Sequence, residues 1–340
     1  MRVIRGLAWT AIALAGGCGR QSSRADPPAS ASTLPVTSVS AVSRPPPPEP
    51  HAPTGIEPTV LLTLPISAYA PFLFVDQGVV YLLTRQAAYR LVPGEEPVQT
   101  PLDLGIGPAM TESSFVYWSK GAIWRAPKAG GKPRRVASLS HEPQRFVTSG
   151  EQFAWLDRTD EGKFTIQTLA GGKPKTIWSA LGDIDAVTML QDWVFFVERE
   201  ARGAWRFGGV RVAGGEPTFS TPHGGRTPAL LVPFGDLYYY DSNTIEIHRL
   251  SPDFLTDEIL SREFICSPFA VSVQIYCAHV AGLFELPKQP KSSPVRLTDT
   301  RVITAVAASS ALVAWLRDTG PDQLALEMLP VLVGTPQPAP

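Results

Sequence analysis

Cysteine is scarce in this chain of 340 residues, with three in all, Cys18, Cys266 and Cys277. So few exclude a disulfide-dense miniature scaffold and any zinc site built from paired cysteines. Helical periodicity is missing too. No window repeats apolar residues at i, i+3, i+4 and i+7 between capping signals, which argues against a helix bundle and against alternating strand–helix units. Charge of one sign is not in excess, since 30 basic residues face 31 acidic ones. That balance leaves no basic field for nucleic acid and no acidic field for cations. The apolar run at residues 7–15 is too short to span a bilayer. No nucleophile elbow, phosphate-cradling loop or dinucleotide fingerprint follows a strand and opens a helix.

What the chain does have is a repeat. Residues 115–137 read FVYWSKGAIWRAPKAGGKPRRVA. A short aromatic strand is followed by a turn at Lys120-Gly121, a second strand, a tight connection at Gly130-Gly131, and a third strand opened by Pro133. Glycine supplies the positive φ of such connections, and proline is tolerated where a strand begins. The aromatic strand recurs as Val80-Tyr81-Leu82, Val116-Tyr117-Trp118, Phe153-Ala154-Trp155, Val194-Phe195-Phe196, Leu237-Tyr238-Tyr239, Ile275-Tyr276-Cys277 and Val313-Ala314-Trp315. The steps between the central residues are 36, 37, 41, 43, 38 and 38. A period near 40 residues with several short strands per unit marks a β-propeller.

The expected fold is therefore all-β: a seven-bladed β-propeller of four-stranded antiparallel blades over residues 57–334. After the last aromatic strand one further strand remains, at residues 323–333, so the seventh unit lacks its outer strand. Residues 59–65 have the character of that missing strand, and the N-terminal strand is expected to close the ring and leave no exposed edge. The recurring aromatics are expected to pack blade against blade, where they bury large areas. With Tyr117-Trp118-Ser119-Lys120 as its nearest approach to the tetrad, the repeat resembles YWTD-type and TolB-like propeller units. The architecture is similar to the lipid-anchored propeller proteins of Gram-negative bacteria. That resemblance speaks to fold and says little of activity, because propellers host many unrelated functions.

Residues 1–18 read as a lipoprotein signal peptide, with Arg2 and Arg5 ahead of the apolar stretch. Ala15-Gly16-Gly17-Cys18 resembles a bacterial lipobox, with Leu14 one place further back than the usual leucine. Cys18 is then the lipidated residue. By the same resemblance, Gly19 in place of an aspartate points to the outer membrane. Residues 19–56, rich in proline and serine, cannot bury enough apolar surface to fold and read as a disordered tether; residues 335–340 read as a tail. Export leaves Cys266 and Cys277 to form one disulfide, since the two strands of their unit turn near Val273-Gln274 and bring them near each other.

Candidate chemistry is sparse. His141, His223, His248 and His279 lie in different repeats, none with a partner at metal-ligand spacing, so no metal or other cofactor is expected. His141 and His223 fall in connections between one blade and the next, as do Asp183 and Asp185, and these four are the candidates for binding at the channel mouth. Asp157, Asp160 and Glu161 are expected in a loop on the same face. No catalytic residue stands out. The expected role is a non-catalytic cell-envelope lipoprotein presenting its propeller to a protein or glycan. The alternatives are a hydrolase or lyase acting at the channel mouth and a subunit of a structural assembly. The expected partners are the membrane, through the lipid, and an envelope protein or glycan, with no nucleic acid. Labelled palmitate is expected to enter the parent chain and not Cys18→Ser; equal membrane association of the two forms, with neither labelled, rules out the anchor.

Overall fold

The computed structural model of the chain describes residues 57–65, 71–200, 203–228, 231–262, 264–290, 293–320 and 323–331. All of them belong to the unit Pro47–Pro340. The signal peptide with Cys18, the tether and the tail lie outside the described residues.

The described residues form seven four-stranded antiparallel sheets and no helix. The sheets are the blades of a seven-bladed β-propeller. Blade 1 opens with Phe72–Asp76, blade 2 with Ile106–Met110, blade 3 with Arg145–Ser149 and blade 4 with Asp183–Leu190. Blades 5, 6 and 7 open with Leu231–Phe234, Phe269–Val271 and Ile303–Ala308. These opening strands are innermost, and from blade 2 through blade 7 and on to blade 1 each contacts the next. Antiparallel pairing puts two kinds of connection on one face of the disc: those from second to third strands, and those from an outer strand into the next blade. This is the upper face; the remaining connections form the lower face.

Each second strand carries the repeat's aromatic segment, and its period of two explains why large residues come in adjacent pairs. In blade 2, Phe115 and Tyr117 pack toward blade 1 while Val116 and Trp118 pack toward blade 3. In blade 4, Val194 and Phe196 serve the contact with blade 3, and Phe195 and Val197 the contact with blade 5. The core is accordingly not one body. It is seven apolar slabs, one between each pair of neighbouring blades. Trp155 and Trp315 are fully buried in such slabs. Truncating a tryptophan so placed costs about 3–5 kcal/mol.

Local chemistry fits this packing. The third strand of blade 4, Trp205–Arg211, sets Gly208 opposite Phe196. A β-carbon there would stand 2.3 Å from the Phe196 ring, so only glycine fits. Pro108 is accommodated by a bulge. It sits inside the opening strand of blade 2, within a bulge between Ile106 and Ala109, where no ladder N–H is required of it. Cys266 and Cys277 are joined by a disulfide, with Cα atoms 5.0 Å apart. Both are buried in the slab between blades 5 and 6.

Closure of the ring comes from the N-terminal strand. Thr59–Pro65 pairs antiparallel with Gln323–Pro330, from Thr59 opposite Met328 to Pro65 opposite Gln323. Leu61, Leu62 and Leu64 pack on the slab between blades 7 and 1. Apolar burial contributes roughly 25 cal/mol per Å², so this strand supplies several kcal/mol. Deleting residues 59–65 is expected to lower the melting midpoint by about 10 °C, at roughly 2–4 °C per kcal/mol for a chain of this size. A deletion variant melting within a degree or two of the parent contradicts closure by this strand.

Candidate binding face at the channel mouth

The upper face begins where the innermost strands begin. In blade 4 a bulge between Ile184 and Ala186 brings the Asp183 and Asp185 side chains to one guanidinium. Arg199 Nη2 lies 3.2 Å from Asp183 Oδ2 and 3.1 Å from Asp185 Oδ1. Two carboxylates sharing one cation form an electrostatic tie, not an acid–base pair with separated roles. Asp185 Oδ2 is buried and accepts no hydrogen bond.

The two candidate histidines do not join them. His141 Nδ1 lies 3.7 Å from Asp160 Oδ1, in the connection between second and third strands of blade 3. Nearby, Thr159, Asp160, Glu161, Lys163, Thr165 and Ser179 line an open groove of about 300 Å³. Asp157 is not in that loop. It belongs to the strand Gln152–Arg158 and is buried, accepting hydrogen bonds from Gln167 Nε2 and its neighbour's backbone N–H. His223 pairs through its backbone with Trp205, and its ring stacks on the indole with centroids 4.4 Å apart. It therefore lies against the third strand of blade 4, away from the innermost strands.

His223 instead meets a cluster that sequence reasoning missed. His248 is not a loop residue. It is buried in the strand Glu246–Leu250, its Nδ1 3.0 Å from Asp257 Oδ1 and its Nε2 3.4 Å from Glu246 Oε2. Tyr239 stacks on His248 and donates a 2.7 Å hydrogen bond to Asp257 Oδ2. Phe207 stands between the Trp205–His223 and Tyr239–His248 pairs. The one available signal was register. Leu250 faces Asp257, which makes His248 and Asp257 a diagonal cross-strand pair. Burial draws the His223 imidazole below its ordinary range, and the Asp257 and Asp241 carboxylates only partly offset this. Burial works to raise Asp257, but the hydrogen bonds from His248 and Tyr239 outweigh it and hold the carboxyl low.

Buried carboxylates stiffen the same face. Glu198 accepts the backbone N–H groups of Leu181 and Gly182, at 2.7 and 3.3 Å, and pairs with Arg206. Those two backbone groups belong to the connection entering blade 4. Glu327 does comparable work at the entry to blade 7, holding Trp315 Nε1 at 2.8 Å, Arg317 and Thr300. The same face exposes large apolar side chains. Leu181 is 90% exposed, Val280 76% and Val302 61%, joined by Ile265, Phe72 and Ile245. Ile245 and Val302 also lie in the left-handed backbone region, at φ 58° each. β-Branched residues rarely occupy that region, and the strain costs about 1–3 kcal/mol. Among the described residues no three His, Cys, Asp or Glu side chains group as metal ligands.

No protein-family model matches the sequence, and no curated protein matches it. Solved structures do match in fold. A puromycin-hydrolyzing peptidase of Mycobacterium tuberculosis aligns with TM-score 0.59 and 13% identity over 79% of this chain and 52% of that one. The CNH domain of AfRom2 aligns with TM-score 0.55 and 11% identity, over 80% and 99%. PorZ, described as an essential bacterial surface component of the type-IX secretion system of Porphyromonas gingivalis, aligns with TM-score 0.53 and 13% identity, over 82% and 40%. The chain spans about half the length of the peptidase. At these identities the likeness is one of fold.

The histidine cluster sets a pH dependence. A folded-state pKa below the unfolded value means that the unfolded chain takes up protons first as pH falls. His223 therefore costs stability as pH drops below about 6.5, and Asp257 adds to the loss below about 4. Both act in the same direction, toward acid lability. The melting midpoint is expected to fall between pH 7 and 5, and less steeply in His223→Gln. Identical slopes for parent and variant contradict this account.

Proposed function

We propose that the chain is a non-catalytic binding scaffold that presents its upper face to a protein partner, tethered to the cell envelope by a lipid on Cys18. The observation that carries this reading is the pair Ile245 and Val302, exposed apolar side chains on strained backbone. Strain and exposure both cost stability, and both are relieved or repaid by a partner that covers these side chains. On the lower side Leu255, Phe234 and Val273 are exposed in connections and Val60 and Val98 at the starts of outer strands, and Phe234 is partly covered by the Lys288 ammonium over its ring. The hydrolase or lyase reading lacks support, because Asp183 and Asp185 are tied to Arg199 and the two candidate histidines lie elsewhere. Export and lipid anchoring rest on residues 1–18 and on the resemblance to lipid-anchored propellers. The surface-component description of PorZ is compatible with an envelope location.

Two measurements test the scaffold. A photo-crosslinking residue placed at Leu181 or Val302 in whole cells is expected to capture a partner that the same residue at Leu255 does not. Capture from Leu255 alone overturns the choice of face. Val302→Asn, which tolerates the left-handed region, is expected to raise the melting midpoint by about 2–8 °C through the roughly 1–2 kcal/mol relieved, while weakening that capture. A variant neither more stable nor poorer at capture removes Val302 from the argument.

A further inference from the structure

The outer strands of blades 2 and 3, Arg134–Ser138 and Lys173–Ser179, start at the lower face. Lys132, Arg134, Arg135, Lys173 and Lys175 are exposed there, and residues 128–140 and 170–179 contain no acid. Arg135 bonds to Ser138 Oγ, and Lys175 Nζ donates 2.7 Å to Ala213 O in the lower turn of blade 4. Nearby acids are taken by other cations: Lys128 holds Asp76, Arg125 holds Glu151 at 3.1 Å, and Arg90 faces Glu95 at 3.7 Å. Among the described residues, the lower half of blades 1–3 thus sets these five cations against two unpaired acids, Glu96 and Glu112. In the blade 2 ladder Arg134 stands directly opposite Arg125. Like charges so placed destabilise a sheet. Composition does not explain the excess, since 30 basic residues meet 31 acidic ones in the whole chain. Charged outer strands also keep sheet edges from pairing, but every blade has that need. The outer strands of blades 7 and 1, Thr59–Pro65 and Val98–Pro101, carry no charge, and that of blade 5, Asp257–Arg262, opens with two acids.

We propose that this basic arc rests on an anionic lipid surface, with the upper face turned away from it. The choice of a lipid surface follows from where the chain enters the ring. Thr59, opposite Met328 near the lower end of blade 7's outer strand, is the point from which the chain leads back to Cys18. Along the same rim Val60 and Val98 stand 55% and 52% exposed, at the starts of the outer strands of blades 7 and 1. The cations follow in blades 2 and 3. Exposed apolar side chains beside cations suit the boundary between headgroups and acyl chains. Each cation close to an anionic membrane strengthens binding about fivefold, and the attraction fades within a Debye length. The proposal rests on the lipid at Cys18 only in that the lipid keeps the ring near a membrane; the arc itself binds without it. It adds an orientation, because a lower rim against lipid leaves the exposed tips of the upper face free for a protein partner.

The test uses the mature chain, residues 18–340 with Cys18→Ser, so that no acyl chain contributes. Vesicles of phosphatidylcholine with phosphatidylglycerol are expected to cosediment it, and vesicles of phosphatidylcholine alone are not. High salt is expected to release it. Arg134→Gln with Lys173→Gln is expected to weaken binding about 25-fold at an unchanged melting midpoint. Lys163→Gln with Arg301→Gln, exposed cations of the upper face, is expected to leave binding as it was. Because Cys266 and Cys277 are joined, a polarity-sensitive dye can be placed on one introduced thiol. Dye on Ala129→Cys, in the lower turn of blade 2, is expected to respond to the anionic vesicles, and dye on Leu181→Cys is not. Equal binding to phosphatidylcholine alone, an equal loss in both double variants, or a response from Leu181 and not from Ala129 overturns the proposal. So does tighter binding to polygalacturonate than to the vesicles at equal anionic charge, which assigns the arc to an anionic polysaccharide. Crosslinking from Val302 and palmitate labelling of Cys18 are read on the lipidated protein in cells, so failure here is distinct from failure of those readings.

Discussion

Every blade of this molecule buries both faces of its sheet against neighbours, so no blade is stable by itself, and the constraint on which the rest depends is closure of the ring. An open array of the same sheets leaves the two sheet faces of one slab uncovered and a ladder edge unpaired. The pairing of Thr59–Pro65 with Gln323–Pro330 removes both penalties at once, because it completes the last blade and seals the slab between blades 7 and 1. Residues more than 250 positions apart thus share one sheet. Such non-local pairing is entropically slow to form, and the short-range hairpins within blades are what make it reachable.

A closed ring of slabs is stiff, and the upper face uses that stiffness. Glu198 and Glu327 are buried acids whose hydrogen bonds go to connections of that face. A buried carboxylate is stabilising only when its oxygens are satisfied, as these are, and breaking such a network is costly. Leu181 and Val302 stand exposed in these two connections, Val302 on strained backbone. Rigid support beneath strained, exposed apolar tips is a combination that stability alone does not select. It fits a surface whose shape is set before its partner arrives, so that less ordering entropy is lost on binding.

The cluster between blades 4 and 5 has a different character. Its rings stack at the edge of a slab, and the solvent-reaching Asp257 carboxylate accepts from Tyr239 and pairs with His248 Nδ1, while His248 Nε2 is buried without a hydrogen bond. It is a polar insert in an apolar layer, paired well enough to be tolerated and sensitive to protonation because burial disfavours charge. Likeness to a peptidase, a CNH domain and PorZ at 11–13% identity adds a shared architecture and no shared chemistry.

The scaffold was legible in the chain because it is periodic. Adjacent aromatic residues about every 40 positions, turn residues at constant offsets and an unmatched strand at each end together specify blade number, strand order and closure, since a repeated local pattern has one repeated structural solution. The binding face was not legible. Asp183 and Asp185 read as free acids until the bulge beside them turned both onto Arg199. His223 read as a channel residue until its ring was found on Trp205, and His248 and Asp257 met only through a diagonal register. Sequence determined the ring because burying alternate side chains in identical blades is a local, additive requirement. Only the tertiary structure decided which charges on the upper face are neutralised and which are left open, because that depends on a bulge or register shift of a single residue between strands far apart in the chain.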